Sequence, residues 1–239
     1  MNATISRLAL QSLFGQKRWW ALLSLPLLLI GLALLVRLLT RGEAGGAFEV
    51  IVVGVGITAA TLVALLATTG VLGPEIDDGS IIYLLAKPIS RYSVVLSKLL
   101  VAVGVTVVLG AGSLLVSGLI LEPSDLQQAL AVTAGMAVAG AAYCSIFMVF
   151  SAINRHAMVT GLIYVLVFEG LLASWLSGLR YLSVSAWGRR IAEGIDDSLN
   201  LAAGNLPLAY AWVASAVVVV AGCVLAGRRL SRFQLRGEE

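Results

Sequence analysis

Charge is what this sequence has least of. Of its 239 residues only 12% are Asp, Glu, Lys or Arg, about half the share of an ordinary soluble domain. A chain that is 59% hydrophobic, with mean hydropathy +0.98, is excluded from the soluble globular class and reads as an integral membrane protein. Histidine is scarcer still: His156 stands alone, so no Ser/His/Asp or Cys/His set can be assembled on one side of a membrane. No pattern of metal-ligand spacing exists either. The two cysteines, Cys144 and Cys223, both fall inside apolar runs and read as small packing residues rather than a disulfide or metal pair. No Gly-x4-Gly-Lys-Ser/Thr occurs, so the chain has no P-loop of its own to cradle ATP phosphates. The loose dinucleotide fingerprint Gly54-Val-Gly56-Ile-Thr-Ala59 lies within an apolar run with no strand before it, and is rejected. With no linker, low-complexity tract or clear internal repeat, residues 1–239 read as one domain.

What the chain has is long hydrophobic runs. Six of them, at 19–39, 47–72, 94–121, 130–153, 158–176 and 208–226, are each long enough to cross about 30 Å of hydrocarbon at about 1.5 Å per residue. The expected fold is all-α: a polytopic membrane protein with six transmembrane helices. The first run is longer than a signal-peptide core and no Ala-x-Ala site follows it, so it is read as a retained span, bent at Pro26. Before it, Ile5, Leu8, Ala9 and Leu13 recur at helical spacing among Arg7, Lys17 and Arg18. Residues 1–18 therefore read as an N-terminal interfacial helix on the inner membrane surface. The net charge of +3 and pI near 9.1 are compatible with nucleic-acid binding, but the bases cluster in short segments between the runs. That is the positive-inside pattern, and no nucleic-acid partner is expected. Counted by side, eleven Lys and Arg against five place both termini and the stretch 73–100 in the cytoplasm, with the chain a multi-pass protein of the cytoplasmic membrane.

The stretch 73–100 is built differently from its flanks. Glu75, Asp77 and Asp78 come first, then the apolar run Ile81-Ile82-Tyr83-Leu84-Leu85, then Lys87, Arg91 and Lys98. Pro74 suits the first turn of a helix, Gly79-Ser80 offers a break and a new N-cap, and Pro88 ends the short helix that Ser80 starts. Ser90 can cap the next helix, which runs straight into a span. A solvated loop gains nothing from an apolar run of this kind, so the reading is a short helix held between two bends at a membrane face.

Gly-Pro-Glu-Ile-Asp-Asp-Gly-Ser-Ile-Ile-Tyr-Leu-Leu-Ala-Lys-Pro-Ile-Ser-Arg, residues 73–91, resembles the segment between spans two and three of type-2 ATP-binding-cassette (ABC) export permeases. The resemblance implies a cytoplasmic coupling helix that docks on a separate ATPase subunit. Carried onto this sequence, the docking residues are Glu75, Asp77, Asp78, Ile82, Tyr83, Leu84, Leu85 and Arg91. It implies further that ATP and Mg belong to the partner subunit, that this chain holds no cofactor and is no enzyme, and that permeases pair as a homodimer or heterodimer. ATP binding would close the partner subunits, the coupling helix would pass that motion to spans two and three, and the bundle would open outward. The substrate is left open.

Glu169 is the charge that most needs an account. Counted from Met158, it lies about 16 Å into run five, near mid-bilayer, where a carboxylate costs on the order of 3 kcal/mol. Three readings stand: it lines a translocation path, it titrates as a proton carrier, or it bonds to a neighbouring helix and locks the bundle. The pattern Tyr164-x4-Glu169-Gly170-Leu171-Leu172, followed by Arg180-x-Leu182-Ser183, is similar to span five of the same permease family, with no role attached to the Glu. Ala131, Gly135 and Ala139 form a small-residue stripe in run four, and Gly104, Gly110, Gly112 and Gly118 lighten run three, as close helix packing requires. In the outer loop 177–207, Trp187, Ile191 and Ile195 recur every four residues, which fits an interfacial or partly re-entrant helix. Other function classes remain beside the permease: an ion- or proton-coupled secondary transporter using Glu169, against which the missing repeat and broken-helix pair speak, and a non-transporting membrane assembly factor.

Overall fold

The computed structural model describes residues 18–40, 45–77, 91–154, 156–201 and 203–231, and among them all regular structure is helical. Helix α1 is Arg18–Leu39, running through Pro26, α2 covers 45–77, and α3 covers 91–121. Helix α4 is Leu126–Ile153, α5 covers 157–175, α6 is Val184–Glu193, and α7 is Leu208–Ser231. Three of them contain wide π-helical stretches: Glu49–Gly56 in α2, Thr106–Ala111 in α3 and Tyr164–Leu172 in α5. Such turns are rare and concentrate at functional positions.

Five helical stretches are long and apolar enough to cross a membrane: Trp19–Leu39, Gly46–Leu72, Tyr92–Leu121, Leu126–Ile153 and Leu208–Leu230. The fifth expected span is a shorter apolar helix, Ala157–Leu172, prolonged by Ala173–Trp175 and stopped at Leu176, whose backbone turns extended. Its π-helical stretch takes more residues for each turn, so the chain advances less across the bundle. Helices also overrun the apolar runs at several ends. Helix α4, for instance, begins at Leu126 rather than 130, because Asp125 accepts from the backbone N–H of Gln128 at 3.3 Å and caps it. The expected N-terminal interfacial helix at 1–18 lies outside the described residues apart from Arg18, which opens α1.

Polar contacts set which helix ends lie together. Arg37 Nη1 donates to the carbonyl oxygen of Leu121 at 2.7 Å, so α1 and α3 finish at the same end of the bundle. At the opposite end Lys98 is only 1% exposed and its Nζ donates to the carbonyl oxygen of Val71 at 3.0 Å, tying the start of α3 to the late turns of α2. There too Tyr92 packs so closely on Gly227 of α7 that any Cβ on the glycine would overlap its ring.

Helix α4 is the hub, packed against α2, α6 and α7. Tyr143, Cys144, Phe147 and Met148 on it are all 1% exposed or less, and Thr106 Oγ1 of α3 lies 3.3 Å from Cys144 Sγ. Helices α1 and α7 are peripheral, with only 22% and 17% of their apolar stretches buried against 61% for α4. Their outward leucines and valines need lipid or another protein to cover them.

The outer segment does not lie on a membrane surface, one of the two forms expected of it. Trp187 and Ile191 are 4% and 1% exposed, buried in the common core of the bundle, and Ile195 lies beyond the end of α6 at 46% exposed. The small-residue stripe of α4 is the reason. Gly188 meets Gly135 backbone to backbone, and a Cβ on Gly135 would overlap the Gly188 carbonyl oxygen. A closely fitted helix gains dispersion contacts that disordered lipid does not match. Gly110 and Gly118 likewise pack on Ala60 and Ala129, whereas Gly104 has nothing near it.

Candidate functional site

The site begins with a problem of helix chemistry. The first N–H groups of α6 have no partners within the helix, and α6 starts inside a protein built for a membrane. Two side chains supply them. Ser183 Oγ accepts from the N–H of Ala186 at 3.3 Å, and Glu169 Oε1, reaching over from the π-helical stretch of α5, accepts from the N–H of Val184 at 2.8 Å. The other carboxylate oxygen, Oε2, accepts from Ser183 Oγ at 2.6 Å and Ser185 Oγ at 2.8 Å. Tyr164 OH adds a longer contact to Oε1 at 3.4 Å. The carboxylate thus sits at the positive end of the α6 dipole with donors on both oxygens, an arrangement that stabilises a negative charge there.

Tyr164 in turn joins a row of rings. It stacks on Phe168 with centroids 5.3 Å apart and meets Phe147 of α4 edge-on at 6.3 Å, while Phe147 stacks with Tyr143 at 5.8 Å. The pattern read from the sequence as Tyr164, Glu169 and Ser183 is therefore one connected cluster. Ser185, Tyr143 and the backbone of Val184 were not legible as its partners, because they arrive across a turn and from another helix. The one local signal was Ser183 directly before a helix, an N-cap residue, with Ser185 in the first turn.

Beside this cluster is a cavity of about 330 Å³ between α2, α4, α5 and α6. Ile57, Val165, Leu166 and Ala173 form its apolar wall; Thr58, Thr61, Tyr143, Ser183 and Ser185 bring hydroxyls; Glu169, Arg180 and Arg189 bring charge. Thr58 and Thr61 donate back to their own helix, to the carbonyl oxygens of Gly54 and Ile57. Arg189 Nε is buried with no hydrogen-bond partner. Burial is the largest cause lowering the Arg189 pKa from its ordinary value, yet a guanidinium remains charged throughout the physiological range.

Arg180 also lines a second, polar groove of about 370 Å³, with Arg190, Glu193, Asp197, Asn200 and Asn205. Here the loop after α6 is fixed from the helix: Glu193 Oε1 accepts from the N–H groups of Leu201 and Ala203 at 2.9 and 3.3 Å, and Arg190 Nε donates to the Leu206 carbonyl oxygen at 2.7 Å. Trp187 Nε1 and Tyr210 OH both donate to the Tyr181 carbonyl oxygen at 2.9 Å, which holds the turn carrying Arg180.

Of the docking residues expected at the other end of the bundle, Glu75 and Asp77 fall on the last turn of α2 and Arg91 opens α3. Asp78, Ile82, Tyr83, Leu84 and Leu85 lie outside the described residues. The two ends of this stretch emerge where Lys98 ties α3 to α2.

Compared with known proteins, residues 42–186, more than half of the chain, match the family profile described as ABC-2 family transporter protein. No curated protein matches the chain.

Proposed function

The chain belongs to the ABC-2 family of transporter proteins, as the membrane-embedded permease subunit of a type-2 ABC transporter, and from that premise we propose how it works. It is driven by ATP hydrolysis on a separate ATPase subunit, which holds the nucleotide and Mg, and it exports a substrate across the cytoplasmic membrane. Six spans serve this: the five long helices and α5, with both termini and the 73–100 stretch cytoplasmic. Two permeases pair, and the peripheral apolar faces of the bundle meet lipid or the second permease.

The observation that carries the coupling reading is the buried bond between Lys98 and the Val71 carbonyl oxygen. A docking segment moves its two spans only if they are joined rigidly at its base, since packed helices shift as units. Asp78–Ser90 is the connection between those two spans, and its apolar run supplies the anchor. Buried aromatic and aliphatic anchors dominate such interfaces, with rim charges contributing less. Tyr83 is the anchor of choice because its ring buries much area with few rotamers to freeze.

Glu169 acts in this reading as a lock that ties α5 to the start of α6, not as a carrier of protons. The test of the whole proposal is co-purification. Tyr83→Ala or Leu84→Asp should strip the ATPase subunit from a permease that still inserts and folds, while Asp77→Asn or Arg91→Gln should only weaken the complex. An intact complex and normal transport in both apolar variants would sink the coupling role of this stretch.

A further inference from the structure

The cavity beside Glu169 is out of electrostatic balance. Two guanidiniums, Arg180 and Arg189, face it together with one carboxylate. That carboxylate is taken up by Ser183, Ser185, the Val184 N–H and Tyr164. Among the described residues neither arginine forms an ion pair; the salt bridge found in this region joins Arg190 to Glu193. Arg189 Nε has no acceptor although it is buried. A buried Arg189 Nε–H without an acceptor is costly, and a fork of planar donors matches an oxyanion better than any other group.

The rest of the wall narrows the ligand. Val165 and Leu166 line one side, and Leu166 continues as an exposed apolar face along α5 with Leu162 at 40% and Val159 at 56% exposed. On the other side Arg180 stands at once in this cavity and in the polar outer groove. A charged head toward the arginines and an apolar body along α5 therefore fits the shape.

We infer that this cavity is a binding site for the phosphate-type oxyanion head of an amphipathic molecule, held by Arg189 and Arg180, with Arg180 as its connection to the outer groove. The inference rests on the permease reading in that the site would hold the transported class of molecule, but the binding itself needs no ATPase subunit. The phosphate could come from a phospholipid head group or from a free solute, and the assay separates them.

The purified chain, in micelles of the phosphate-free detergent dodecyl maltoside, is titrated with phosphatidylglycerol or with inorganic phosphate while unfolding is followed by tryptophan fluorescence. Phosphatidylglycerol should raise Tm, and its apparent affinity should fall at least tenfold in Arg189→Gln and in Arg180→Gln, with Arg189→Lys between them. A rise with inorganic phosphate as well assigns the site to the oxyanion alone, whether free or lipid-borne. An anion response equal in the wild type and in both Gln variants overturns the site, as does no response in the wild type. If Arg189→Gln does not fold, Arg180→Gln on its surface turn decides the matter. Failure here leaves the docking experiment on Tyr83 untouched, so the two readings fall separately.

Discussion

Glu169 accepts three hydrogen bonds of 2.8 Å or less from two serines and a backbone N–H. Bonds to a charged group contribute about 1.5–3 kcal/mol each before non-additivity, and donors left unpaired in a buried place add their own cost. Glu169→Ala should therefore destabilise the chain by about 2–4 kcal/mol. Glu169→Gln should cost about 1 kcal/mol, since Oε1 still accepts from Val184 and a serine hydroxyl can turn to accept from the new NH2. Thermal unfolding in detergent measures both, and equal losses would mean that charge rather than hydrogen bonding is what the site needs. Gly204 offers a second test, since its φ of +78° lies in the left-handed region. Gly204→Ala should cost about 1–2 kcal/mol, read in the same assay. That Glu169 needs hydrogen-bond partners was legible from the sequence, because a carboxylate in an apolar run is conspicuous. Its partners were not, because Ser183, Val184 and Ser185 reach it only through the geometry of the 176–183 turn.

Among elements, α6 shows what hydrophobic pattern can and cannot tell. Trp187 and Ile191 announce a helix with one apolar face, but the pattern is silent about what covers that face. The answer lay in the glycine at 135, which lets α6 replace lipid against α4. Gly135→Ala should force the two backbones apart and cost about 1–3 kcal/mol, by the usual scale of overpacking. Gly104→Ala is the matched control: nothing lies within 4 Å of the added Cβ. There the change should be neutral or stabilising by up to about 1 kcal/mol, from helix propensity alone. Equal losses at both positions would show that glycine serves helix flexibility here rather than close approach. The long helices α1 to α4 and α7 were legible for the opposite reason. Bilayer thickness fixes a minimum length, and nothing else in the chain needs such runs. Helix α5 falls short of that length because its apolar part stops at Leu172 and the backbone turns extended at Leu176, a stop that hydropathy does not mark.

At the scale of the molecule, the bundle has two ends with different equipment: the cavity beside Glu169 at one, the Lys98 tie at the other. Charge counting assigns the Lys98 end to the cytoplasm. The assignment is checked in a chain with Cys144 and Cys223 replaced by Ala, where Asp125→Cys should react with an impermeant maleimide from outside the cell and Lys87→Cys should not. The reverse pattern would turn the coupling stretch away from any ATPase. On the coupling reading proposed above, force would enter at 73–100 and reach the cavity lined by Ile57, Thr58 and Thr61 through α2. Lys98 is the residue through which α3 grips α2 at the point of entry. Lys98→Met keeps most of the side-chain volume and removes the donor. It leaves the Val71 carbonyl oxygen still bonded within its helix, so the stability loss should be modest, about 1–2 kcal/mol. The coupling loss should be larger. The ATPase subunit should still co-purify and hydrolyse ATP, but transport per ATP should fall at least tenfold, because α2 and α3 no longer move as one body. If the Lys98→Met permease transported at the wild-type ratio, the stretch would still dock there, but the rigid base would have no part in transmitting the stroke.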